Sequence, residues 1–258
     1  MSGFRRLVLE LGHGAADRVT MREAAIFAQL LDAELHALFV EDETLLHASA
    51  LPFAREISPV SLRWRKLESD RMAAELHATA ERARRHLMET ADAIGVRRTF
   101  EIRRGDLALS VSETCAASDI VVLAQPPRES THGSRRLRET AVQSAASVLN
   151  LPPKPGRRHG PIVAAINGAD DPTLPVARLI ASQSHERLLV LTAGERAARF
   201  LPSTAPGDIE TALGDLRERL IVVTRTVTPE RRGAWTDLAA VRGVPVLVIE
   251  QVRGDCSL

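Results

Sequence analysis

The chain reads as one α/β unit written twice. Each half opens with an apolar run ending at glycine: Leu7-Val8-Leu9-Glu10-Leu11-Gly12, then Ile162-Val163-Ala164-Ala165-Ile166-Asn167-Gly168. Each has a later and more hydrophobic run, Asp119-Ile120-Val121-Val122-Leu123-Ala124 and Leu220-Ile221-Val222-Val223-Thr224. Each closes on a short strand, Val148–Leu151 and Val244–Ile249. Self-similarity of this kind decides architecture before any local assignment. Strands alternating with helices imply parallel strands, crossover connections and helices on both sheet faces. The predicted fold class is therefore α/β, with two tandem Rossmann-like units. Their boundary falls in Pro152-Pro153-Lys154-Pro155-Gly156-Arg157-Arg158-His159-Gly160, rich in Pro, Gly and charge, giving units at 1–155 and 156–258.

A length of 258 residues accommodates two such units. Apolar content of 45% beside 26% charged residues gives each a core and a solvated surface. The formal charge of +1 argues against nucleic acid as a partner, and 3% aromatics without tyrosine argue against base stacking. Cys115 and Cys256 are the only cysteines, too few for a disulfide framework. No apolar run nears the roughly 18 residues of a membrane span. Nor does the start show a signal peptide's apolar stretch. A cytoplasmic location without membrane association is expected.

The pattern predicts strands at Arg6–Leu11, Glu34–Val40, Arg98–Arg103, Ile120–Ala124 and Val148–Leu151 in the first half. Helices are predicted at Arg22–Leu31, Leu62–Ile94, Leu107–Ala117 and Arg135–Ala146. The second half is shorter. It carries strands at Ile162–Ile166, Arg187–Thr192, Leu220–Thr224 and Val244–Ile249, and a weak one near Arg199–Leu201. Its helices are Pro175–Ser184 and Asp208–Arg219, with no counterpart of the long Leu62–Ile94 segment. In parallel sheets ligands bind beyond the carboxyl ends of strands. The positions to weigh are thus Gly12-His13-Gly14, Val40-Glu41-Asp42, Arg104-Gly105-Asp106, Gln125, Asn167-Gly168, Thr192 and Thr224.

Several of these pieces together resemble the universal stress protein family in tandem form. They are the β-strand ending Leu38-Phe39-Val40-Glu41-Asp42, Arg104-Gly105-Asp106 before a helix, Ser118-Asp119-Ile120-Val121-Val122-Leu123, and the Val-Leu and Pro-Val-Leu-Val endings. The resemblance implies a binding or regulatory protein of the bacterial stress response rather than an enzyme. It implies self-association of the two halves through their last strands, as an internal pseudo-dimer. A homodimer and an unidentified protein partner are further expected partners.

Nucleotide-binding members of that family resemble one another in an Asp at the end of the first strand. They also share a Gly-x-x-Gly loop after the fourth, with Gly-Ser/Thr beyond. Here Gly12 and Asn167 stand at the Asp positions, and Gln125-Pro126-Pro127-Arg128 replaces the loop. Proline has no N–H to offer a phosphate. Gly133-Ser134 matches the later Gly-Ser about a residue out of register. The departures predict no conventional ATP binding, with an ATP binder of relaxed phosphate loop as the alternative. The candidate ligand positions are Gly12, His13, Gly14, Val40, Glu41, Arg104, Gly105, Gln125, Gly133, Ser134, Asn167 and Gly168.

Each has a plain structural reading beside it. Gly12-His13-Gly14 and Asn167-Gly168 are ordinary turn sequences. Glu41-Asp42-Glu43 suits a helix start. The eight histidines show no zinc-site spacing, so no metal site is expected. Arg128, Arg135, Arg136, Arg138, Arg157 and Arg158 read as a solvated basic face. Neither a Gly-x-Ser-x-Gly elbow nor a P-loop is present. The Ser-Gly-Gly-x-Asp-Ser-like loop of related nucleotide α-hydrolase enzymes is also missing, which leaves no catalytic residue to name.

Overall fold

The apolar runs assemble into one sheet. In a computed structural model, the structure describes residues 4–11, 18–51, 53–57, 62–66, 68–124, 140–141, 146–154, 157–193, 200–201, 203–225 and 234–250. The first half contributes β1 (Arg6–Glu10), β2 (Glu34–Asp42), β5 (Arg98–Gly105), β6 (Asp119–Ala124) and β7 (Ser147–Leu151). The second contributes β8 (Ile162–Ile166), β9 (Leu188–Ala193), β10 (Phe200–Leu201), β11 (Leu220–Thr224) and β12 (Val246–Ile249). A separate hairpin pairs β3 (Arg55–Ile57) with β4 (Trp64–Lys66).

The ten strands run β10-β9-β8-β11-β12-β7-β6-β1-β2-β5. Numbered within its own half, each set of five reads 3-2-1-4-5 from its edge inward. Within a half all pairings are parallel. The halves meet at β7 and β12, which pair antiparallel with Leu149 opposite Leu247. The molecule is an internal pseudo-dimer of two Rossmann-like units. Asn150 sits buried on this seam, its amide nitrogen donating to the Val246 carbonyl at 3.4 Å and its oxygen accepting from Thr236 at 3.0 Å. A slip of one residue would strand these groups away from partners, so they favour this register.

The helices whose two ends lie among the described residues are α1 (Arg18–Leu30), α2 (Glu43–Ala50), α3 (Ser69–Ile94), α4 (Leu107–Thr114), α5 (Thr173–Ser184), α6 (Pro206–Leu213) and α7 (Ala234–Arg242). One sheet face carries α1, α3 and α5, and its apolar residues form a single core running through both halves. On the other face α6 and α7 cover the second half, and Val111 of α4 with Ala141 covers the first, in two separate clusters. Strands β6, β7, β8, β11 and β12 are almost wholly buried, as strands covered on both faces must be. Edge strand β5 instead has only half-buried and exposed positions and carries Arg98, Glu101, Arg103 and Arg104. Charge on an edge discourages pairing with another chain.

Several boundaries differ from the sequence pattern, α1 starting at Arg18 rather than Arg22 and the last strand at Val246 rather than Val244. The helix expected from Leu62 starts at Ser69, because Trp64–Lys66 is drawn into the hairpin opposite Arg55–Ile57. The one expected over Asp208–Arg219 runs from Pro206 only to Leu213, where Gly214 turns the chain with φ +50°. The one expected over Leu107–Ala117 ends at Thr114, since Cys115 is already extended. Glu41 and Asp42 close β2, leaving only Glu43 in the first turn of α2. Ala234–Arg242, which the pattern does not single out, forms α7, with apolar residues spread round it rather than in a stripe. The expected helix Arg135–Ala146 lies almost entirely outside the described residues.

Candidate functional site

Because β7 and β12 run antiparallel, the carboxyl ends of the two sets of strands face opposite edges of the sheet. The two candidate ligand regions are therefore far from being copies side by side, and they are built differently.

In the second half, β8 ends in Ile166 and turns through Asn167-Gly168. The turn is held by Asp171. Its carboxylate accepts from the Asn167 N–H and the Thr173 N–H, each at 2.9 Å, and from the Thr224 hydroxyl at the end of β11. The Thr173 and Thr224 hydroxyls lie 2.7 Å apart, and Thr204 donates to the Asn167 side-chain oxygen at 3.1 Å. Asp171, Thr173, Thr204 and Thr224 are all buried. Burial by itself pushes the Asp171 carboxyl up, but the bonds from Thr224, Asn167 and Thr173 outweigh it and hold the group below its ordinary 3.8. The network ties together the ends of β8 and β11, the start of α5 and the loop before α6. Its buried members Asp171, Thr173 and Thr224 bond to one another.

Asn167 thus has an internal partner although the residue is exposed. A Cβ on Gly168 would meet nothing within 4 Å, so no close backbone approach requires glycine there. Asp171 escaped the list of candidates, yet Asp171-Pro172-Thr173 carries a signal. An Asp whose side chain bonds the N–H two residues on is a standard way to open a helix after a turn.

In the first half, Val40, Glu41, Arg104 and Gly105 come together where β2 and β5 end, with Glu41 directly opposite Arg104. The Val40 side chain is in the core beside Val111 and Leu38, leaving only its backbone at the strand end. Glu41 accepts from Arg104 Nη2 at 3.1 Å and Nε at 3.3 Å. Arg104 remains mostly open to solvent, so the pair is a weak, screened contact. Gly105 has φ +144°, a conformation that side chains rarely adopt. It delivers Asp106 to the start of α4, where the Asp106 carboxylate accepts the Leu109 N–H at 3.0 Å as an N-cap. Gly12, His13, Gly14, Gln125, Gly133 and Ser134 lie outside the described residues.

At the opposite, amino-terminal strand ends, both halves carry a buried carboxylate gripped by arginine. Arg6 reaches Asp119 at 2.6 and 3.2 Å and the Thr114 carbonyl at 2.8 Å. Arg242 reaches Glu218 at 2.8 and 2.9 Å and the Gly214 and Leu216 carbonyls at 2.7 Å each. Arg6 thereby fastens β1 to the chain leaving α4, and Arg242 fastens the end of α7 to the chain between α6 and β11. Cys115 sits just below Asp119. Burial and that carboxylate raise its thiol to about 12, far from a nucleophile's range. His36, buried in β2, bonds Thr99 at 2.8 Å, and burial together with Arg6 lowers its pKa below 6.5. Among the described residues no group of three or more His, Cys, Asp or Glu is placed to hold a metal ion, and no helix is long and apolar enough to cross a membrane.

No protein-family model matches the sequence, and no curated protein does. The fold does match solved structures. One is a universal stress protein from Archaeoglobus fulgidus DSM 4304, similar over 97% of this chain and 99% of that one, with a TM-score of 0.58 and 13% sequence identity. At that identity the likeness is one of fold, carried over the length of both halves.

Proposed function

We propose that this chain is a universal-stress-protein-like binding and regulatory protein of the bacterial stress response, cytoplasmic, non-catalytic and without conventional ATP binding. Fold likeness alone does not carry function. The observation that carries this reading is the state of the second strand-end region. There Asp171, Thr173 and Thr224 are buried and bonded to one another, and Thr204 donates to the Asn167 side-chain oxygen. That half acts as structural partner to the first. Any ligand on the carboxyl edge then belongs to the first half, near Glu41, Arg104 and Gly105.

The test is calorimetry with ATP and Mg²⁺, paired with an assay for pyrophosphate release. The expected result is no saturable heat up to about 1 mM, a limit near 4 kcal/mol of binding, and no pyrophosphate. A saturable isotherm that Gly105→Val weakens overturns the reading in favour of a nucleotide binder with a relaxed phosphate loop. Pyrophosphate release overturns it in favour of an enzyme.

A further inference from the structure

A concavity lies away from the carboxyl-edge groups already described. It has a volume of about 460 Å³ and sits between α1, the connector joining the halves, and the amino ends of β11 and β12. That size suits a small molecule. Three separate stretches of chain bring cations to it: Arg18 and Arg22 from α1, Arg157 and Arg158 from the connector, and Arg219 just before β11. Ile26, Phe27 and Pro245 add apolar surface. Glu23 is the one carboxylate in the lining.

These charges are poorly neutralised from within. Arg18 stands 3.8 Å from Glu89, Arg157 3.9 Å from Glu218, and Arg219 4.0 Å from Glu186. Two of those carboxylates have closer partners elsewhere, Glu218 in Arg242 at 2.8 Å and Glu186 in His159 at 3.1 Å. Arg22 and Arg158 make no ion pair among the described residues. Glu23 shares the cleft lining with Arg219, Arg22 and Arg158; burial raises its carboxyl, and the three arginines pull it down. The connector is fixed here by Gly160, at φ +138°, whose Cβ would fall 2.4 Å from the Arg217 carbonyl. An excess of guanidinium groups in a concavity with apolar walls is suited to phosphate oxygens, which arginine binds in a bidentate fork.

We propose that this cleft binds a small phosphorylated organic anion at the junction of the two halves, its phosphate held by Arg22, Arg158 and Arg219 and its carbon skeleton against Ile26, Phe27 and Pro245. The site needs both halves, since α1 belongs to one and Arg219 to the other. A ligand there would bridge the α1 face to the second unit.

The test is isothermal titration of the full chain with phenyl phosphate and with inorganic phosphate, in low salt without Mg²⁺. Phenyl phosphate is expected to bind saturably. The double variant Arg22→Ser/Arg158→Ser should weaken it at least about tenfold, with thermal unfolding unchanged because both residues are exposed and make no ion pair among the described residues. Glu23→Gln, which removes the single opposing charge, should tighten it. Tighter binding of phenyl phosphate than of inorganic phosphate assigns a role to the apolar wall and supports an organic ligand. Equal binding of the two overturns the organic ligand in favour of free phosphate. No binding of either at about 5 mM, or binding indifferent to both variants, overturns the site altogether.

Discussion

The two halves share a strand order but differ at their carboxyl edges. At the end of β8 a buried carboxylate, three threonines and an asparagine form a closed network. At the ends of β2 and β5 stand a half-open ion pair and a capped helix start. The amino edges, by contrast, are near equivalents, each a buried carboxylate held by arginine. The second half retains the scaffold while using its would-be ligand edge for its own cohesion. The halves thus agree in what orders the sheet and differ at their carboxyl edges.

The comparison makes a ranking of substitutions, measured by denaturant unfolding. The largest losses should come from Asp119→Ala and Glu218→Ala, about 3–5 kcal/mol each, since both leave an arginine without its buried partner. Similar losses confirm that the amino edges are equivalent; a gap above about 2 kcal/mol breaks that equivalence. Asp171→Ala comes next, at about 2–3 kcal/mol, because it takes the acceptor from the buried Thr173 N–H and from the Asn167 N–H and breaks the bond to the Thr224 hydroxyl. Asp106→Ala, its counterpart as a helix opener in the first half, should cost only about 1 kcal/mol. Glu41→Gln is the smallest, at about 0.5 kcal/mol or less, as the Arg104 partner is solvated. If Glu41→Gln costs as much as Asp171→Ala, the contrast between closed and open edges fails.

Acid should sharpen the same contrast. The Asp171 carboxyl lies below 3.8 in the folded chain, so its contribution is complete above that pH and is lost as pH falls through the folded value. Asp171→Asn should therefore flatten the acid limb of stability against pH. His36 acts in a higher window. Its folded pKa is below 6.5, so the unfolded chain takes up the proton first and stability declines as pH falls below 6.5. His36→Gln should remove that slope while leaving the acid limb due to Asp171 in place. A slope that persists in His36→Gln assigns it to other groups.

Much of the scaffold was legible from apolar runs, because strands covered on both faces admit little else. Leu220–Thr224 and Ile162–Ile166 are examples, observed with the predicted bounds. Periodicity served α3 well from Ser69 onward, where Ala80, Ala83, Leu87 and Ala91 form its buried face. It failed at Trp64–Lys66, which pairs with Arg55–Ile57, and at α7, whose buried residues include Trp235 and Thr236 on adjacent positions. Of the candidate site, Glu41, Arg104 and Gly105 were found together, since strand ends in a parallel sheet converge by topology. Asp171 was missed because its partner Thr224 lies 53 residues away, and no local pattern reports that pairing.

By itself the sequence determined the doubled α/β unit, the central strands and the glycine at position 105, because these follow from hydrophobic burial and from backbone conformation within a few residues. Only the tertiary structure decided that β7 and β12 close the sheet antiparallel, that Asp171 seals one carboxyl edge, and that Arg22, Arg158 and Arg219 meet in one cleft. Those are meetings of residues distant in the chain. Their free energy depends on burial and charge spacing, which a linear pattern does not contain.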